Sequence, residues 1–148
     1  MKKRIFLLII LIMLLSCSLD RSNLLDPNGH DINIPPLVEN FQIDGEEVHS
    51  GDYVYIKSTG KSVEMSWDND VTGVAGYYIY RSMAYDGLYV LVGDENHIPS
   101  NENPPRQSFI DNDELIVPDS WYYYKISAYN DKGLEGYRSN WKLTWVVD

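Results

Sequence analysis

The chain has 148 residues, 44% hydrophobic and 13% aromatic, enough for one folded domain with its own core once a targeting segment is set aside. Its formal net charge of −10 repels nucleic acid and anionic headgroups, which disfavours a phosphate-reading role. No nucleic-acid partner is expected.

Lys2, Lys3 and Arg4 lead into an unbroken apolar run from Ile5 to Leu15, the order of a signal peptide. As a helix that run measures roughly 16 Å, about half of a bilayer's hydrocarbon thickness, too short to span it. It closes on Leu14-Leu15-Ser16-Cys17, which resembles the lipobox of bacterial lipoproteins: a branched residue three places before the cysteine and a small one immediately before it. A thiolate is well suited to accept a diacylglyceryl group. The expectation is a signal peptide over residues 1–16, a mature chain starting at Cys17, and lipidation of that cysteine. Cys17 is the sole cysteine, so no internal disulfide forms and acylation gives the thiol a use. Removing residues 1–16 takes away Lys2, Lys3 and Arg4 and no acid, so the formal charge goes from −10 to −13. Membrane attachment then comes from the lipid. The lipoprotein resemblance implies a lipid-anchored place at a bacterial membrane. Ser18, where an aspartate would argue for inner-membrane retention, favours the outer membrane in a cell with two.

Residues 18–36 are rich in Asn, Asp, Pro and Gly and show no sustained period of 2 or 3.6. With Cys17 they read as a flexible tether, residues 17–36, that reaches roughly 60 Å when extended. From residue 37 to 148 the pattern changes to short runs of Val, Ile, Tyr and Trp between Gly, Asn, Asp and Pro clusters, which reads as one all-β domain. Strands are predicted at 38–43, 53–57, 62–67, 76–81, 89–92, 108–110, 122–129 and 141–147.

Alternation assigns faces. Val63, Met65 and Trp67 point to the core, with Ser62, Glu64 and Ser66 outward. Tyr122, Tyr124, Ile126 and Ala128 point inward, with Tyr123, Lys125, Ser127 and Tyr129 outward. In the last strand Trp141, Leu143 and Trp145 form the apolar face opposite Lys142 and Thr144. Three strands with one apolar face each require a second layer, so an antiparallel sandwich is favoured over a single sheet.

From about Val63 to Ser139 the motif order resembles a fibronectin type III domain, an immunoglobulin-like sandwich. Val63-Glu64-Met65-Ser66-Trp67 is similar to its B strand with the core tryptophan, and Gly76 to Ser82 to its C strand. Ser108-Phe109-Ile110-Asp111 resembles the E strand, and residues 116–122 match the spacing of the E–F loop and its tyrosine. Tyr124, Ile126, Ala128 and Asn130 continue the F pattern, and residues 133–139 resemble the turn into G. The resemblance implies a tyrosine corner at Tyr122, whose hydroxyl meets the upstream backbone while the ring joins the core. The stretch 38–57 exceeds the usual A strand, so a decorated N-terminal edge is expected.

No local signal for a hydrolase, metalloprotease or nucleotide enzyme is present. His30, His49 and His97 lie in predicted loops or tether without a partner at zinc-ligand spacing and read as bystanders. The clusters Asp68-Asn69-Asp70 and Asp111-Asn112-Asp113-Glu114 fall between strands, where Asp and Asn favour turns. The first begins like a calcium loop, but Ile79 stands where the bidentate glutamate is needed. No catalytic residues, metal or cofactor are expected. The expectation is a non-catalytic protein-interaction or adhesion module, with a carbohydrate-binding surface protein as the alternative, supported by twelve tyrosines and four tryptophans. Its partner, an envelope protein or a glycan, is expected at an outward patch of Tyr78, Tyr80, Tyr123 and Tyr129, bordered by Lys125 and Lys142.

Overall fold

Short runs, most of them rich in β-branched and aromatic residues, give nine strands among the described residues, which in this computed structural model are 33–69, 72–101 and 103–148. They are β1 (Gln42–Ile43), β2 (Glu46–Ser50), β3 (Tyr53–Lys57), β4 (Val63–Asp68), β5 (Gly76–Ser82), β6 (Val90–Asn96), β7 (Arg106–Asp111), β8 (Ser120–Tyr129) and β9 (Lys142–Val146). The expected signal peptide, Cys17 and the expected tether up to residue 32 lie outside the described residues. A compact unit runs from Ile34 to Asp148, and Pro35 is already buried in it.

Two sheets form, ordered β1-β4-β7 and β2-β3-β9-β8-β5-β6. Every pairing is antiparallel except the parallel contact of β3 with β9. The expected all-β sandwich is therefore the observed fold. The decorated edge is a hairpin, β2–β3, laid along β9. Its outer strand was not legible: Glu46-Glu47-Val48-His49-Ser50 carries one apolar residue, and it pairs as an edge strand outside the core. The strand expected at 38–43 shrinks to Gln42–Ile43, although Val38 and Phe41 are buried beside it. The strand expected at 89–92 extends through the polar residues Asp94-Glu95-Asn96.

Between the sheets lie Val63, Met65, Trp67, Tyr122, Tyr124, Ile126 and Ala128, on the faces that alternation assigned, together with Tyr77 and Ile79. The last strand requires a correction: Thr144 and Val146 face the core at 0% exposure, and Trp141, Leu143 and Trp145 face outward or lie at the surface. Both faces of this strand carry residues that fit a sheet, so hydrophobicity leaves the parity open. Register decides it, placing Thr144 opposite core-facing Tyr122 and Trp145 opposite Trp121. Thr144 accepts burial because its Oγ1 donates to the Ile56 carbonyl at 2.9 Å. Ser66 and Ser127 are likewise on outward faces yet buried, because side chains from neighbouring segments cover them.

An ionic clasp joins the sheets. Arg81 follows Tyr77 and Ile79 on the inner face of β5, and its Nη1 meets Asp111 Oδ2 on β7 at 2.8 Å while Nη2 meets Asp113 at 3.0 Å. Tyr124 donates its hydroxyl to the same Asp111 oxygen at 2.9 Å. Burial alone would lower the Arg81 pKa, but the facing carboxylates outweigh it and raise it. The Tyr122 hydroxyl accepts from Val117 N–H at 2.9 Å, which is the corner the resemblance implied. At Gly93 a Cβ would stand 2.8 Å from the Phe109 ring, so the missing side chain lets Phe109 pack from β7 onto β6.

Candidate functional site: an aromatic outer face

The outward residues of β3, β9, β8 and β5 cover one side of the six-stranded sheet with rings in three groups. Nearest the added hairpin, Trp121 meets Tyr55 and Trp145 edge-on, each with centroids 4.8 Å apart. Next, Tyr123 and Trp141 meet at 5.4 Å, with Tyr85 at 6.4 Å from Tyr123. Farther along, Tyr78 stacks on Tyr129 at 4.4 Å and meets Tyr80 edge-on at 6.4 Å. Lys125 stands on the same face with its ammonium 4.5 Å from the Tyr89 ring centre. These edge-to-face and stacked geometries stabilise the sheet by about 0.5–1.5 kcal/mol per pair beyond burial.

Tyr78 and Tyr129 of the expected patch are brought together, and Tyr123 stands in a different group beside Trp141. Tyr80 points to the same side but is only 7% exposed. The turn after β8 folds back over it, placing the Arg138 guanidinium 3.7 Å from its ring centre. Glu135 Oε1 receives three hydrogen bonds there, from Tyr80 at 2.8 Å, Ser127 at 2.8 Å and Arg138 at 3.0 Å. Desolvation would raise the Glu135 pKa, but the bonds from Arg138, Ser127 and Tyr80 outweigh it and hold it below the usual value. Lys142 does not border the patch by register, since it pairs opposite core-facing Tyr124 at the sheet's end.

Gly76 places Tyr129. A Cβ there would collide with the Tyr129 ring and hydroxyl, so its absence lets the ring lie across β5. The Tyr129 hydroxyl then donates to Asp94 Oδ1 on β6 at 2.9 Å. Desolvation and that carboxylate push its pKa up to about 12.

Sequence reasoning missed the tryptophans as site residues. Trp121 is 39% exposed and Trp141 44%. Trp121 was readable, since it shares parity with Tyr123 on the longest strand; Trp145 becomes so only once the β9 register is known.

Two histidines expected as bystanders have polar partners. His49 Nε2 is 2.8 Å from Glu47, and His97, expected to be a bystander, has Nδ1 3.2 Å from the buried Tyr77 hydroxyl. His30 lies outside the described residues. Asp111 holds the clasp, and its Oδ1 accepts from Asp113 N–H at 3.2 Å, a turn bond of the expected kind. Among the described residues no group of three His, Cys, Asp or Glu side chains is placed to hold a metal ion.

No protein-family model matches the chain, and no curated protein matches it in sequence. Among solved structures it is similar to an Fn3-like protein from Clostridium thermocellum, with 18% identity, a TM-score of 0.50, and coverage of 77% of this chain and 95% of that one. It is also similar to part of the twitchin kinase region from C. elegans, at 13% identity and a TM-score of 0.52, covering 78% of this chain and 17% of that one. At these identities the likeness establishes the fold: a fibronectin type III-like sandwich.

Proposed function

We propose that this chain is a lipid-anchored lipoprotein of the cell envelope whose fibronectin type III-like domain is a non-catalytic protein-interaction or adhesion module. The observation that carries the reading is the aromatic outer face. Trp121 and Trp141 keep 39% and 44% of their surface in water although each touches other rings. Large rings with few rotors and a polar edge suit contact with a protein, and Trp and Tyr are enriched where binding energy concentrates. The Leu14 to Cys17 motif supports the anchor, and the lipid supplies the membrane attachment that so acidic a chain cannot. With two membranes present, Ser18 favours the outer one.

Copurification from detergent-solubilised membranes tests the reading, comparing the native chain with a Trp121→Ser, Tyr123→Ser, Trp145→Ser variant. An envelope protein retained by the native chain and lost by a folded variant is expected. Equal retention by both would move the contact off this face.

A further inference from the structure

We propose that a cleft beside the aromatic face binds a neutral saccharide. β3 and β9 run parallel but pair only at Ile56 with Thr144 and Lys57 with Trp145. Before those positions β3 follows β2 down to Tyr53, and β9 follows β8 down to Lys142. The two strands therefore part, and a cleft of about 470 Å³ opens between them and the β1–β2 turn. Its lining includes two aromatic residues, Tyr55 and Trp141, and four polar ones, Gln42, Asp44, Glu47 and Lys142.

A sugar ring offers C–H faces that stack on aromatic rings and a rim of hydroxyls that both donate and accept. The cleft supplies a counterpart for each, and its volume lies within the usual range for small-molecule sites, about 300–1,000 Å³. Three of the four polar groups are available, while Gln42 donates from Nε2 to Ser66 Oγ at 3.3 Å. Glu47 engages His49 through Oε1 at 2.8 Å, which leaves Oε2 to accept. Among the described residues, neither carboxylate oxygen of Asp44 nor the ammonium of Lys142 has a hydrogen-bond or ion-pair partner.

Other occupants fit worse. An apolar side chain would strip water from Asp44, Glu47 and Lys142 without replacing its hydrogen bonds. An anionic sugar would face two carboxylates against one ammonium on a chain of net charge −10. A neutral saccharide can hydrogen-bond to Asp44, Glu47 and Lys142 and brings no charge of its own. The cleft shares Tyr55 and Trp141 with the aromatic face but adds Gln42, Asp44, Glu47 and Lys142, which the protein-contact reading does not use.

The test uses the full mature chain in a detergent without a sugar headgroup. It is titrated with neutral gluco-, manno-, galacto- and N-acetylglucosamine oligomers and with tetragalacturonate, followed by calorimetry and tryptophan emission. At least one neutral oligomer is expected to bind saturably at about 1 mM or below. An Asp44→Asn, Glu47→Gln variant, close in shape to the native chain, should weaken that binding about tenfold or more. Trp141→Ala should abolish it, and Tyr78→Ser, in the far ring group, should leave it unchanged, with thermal melts checking that each variant folds. No saturable binding by any neutral oligomer up to about 10 mM would overturn the proposal. So would binding that the folded cleft variants leave intact, or a preference for tetragalacturonate.

Discussion

Tyr129 and Glu135 show how single polar groups lock rings onto the outer face, and each carries a pH dependence of definite sign. Glu135 has a folded-state pKa below its ordinary value because Arg138, Ser127 and Tyr80 all bond its carboxylate, overcoming desolvation. Its stabilising contribution is present above that ordinary value and is lost as pH falls below it and through the folded one. Melting temperature followed from pH 7 into that range should therefore fall more steeply for the native chain than for Glu135→Gln. Tyr129 behaves in the opposite sense. Its pKa is raised from 10.0 to about 12, so folding favours the neutral phenol, and that contribution is fully present below pH 10 and fades as pH approaches 12. An absorbance titration should show Tyr129 among several late tyrosines, since burial also raises Tyr77, Tyr80, Tyr89 and Tyr124, and Asp94→Asn should bring the Tyr129 step part of the way back toward 10.

Strand pairs extend the same reasoning, because β5 and β7 belong to different sheets and meet through Arg81 and Asp111 with side chains only 8% and 2% exposed. Removing one partner leaves a buried charge, so Asp111→Asn should cost about 3–5 kcal/mol, while Arg81→Met with Asp111→Leu should cost much less. Denaturant unfolding of the single and double variants measures the difference. The clasp was not read from the sequence, where Asp111 belonged to a turn cluster and Arg81 merely ended a strand. What was legible depended on how one-sided each element is. β4 and β8 bury one face, and Val63-Met65-Trp67 and Tyr122-Tyr124-Ile126-Ala128 named their own inward sides. β9 carries Leu143 and Trp145 on one face and Thr144 and Val146 on the other, so only register with β8 settled it. β2 has no apolar face at all, and no periodicity could have revealed it.

For the molecule as a whole, the sandwich followed from strand count, alternation and the resemblance from Val63 to Ser139, whereas the extent of the aromatic face did not. It required knowing that β3 joins β9, so that Tyr55 comes to lie beside Trp121. The tether and anchor belong to the same account: Cys17→Ser should release the chain from membranes or leave the precursor unprocessed, since each buried acyl methylene contributes about 0.8 kcal/mol. Intact-mass spectra showing an unmodified N-terminus elsewhere would contradict the anchor. The central claim is that the six-stranded sheet presents the contact surface. Site-specific photo-crosslinking in intact cells tests it most directly, with the reactive group placed at position 121 on that face or at position 110 on the opposite sheet, where Ile110 is 51% exposed. A discrete crosslinked protein from position 121 and none from position 110 is the predicted result. The same product from both positions, or a product from position 110 alone, would contradict it.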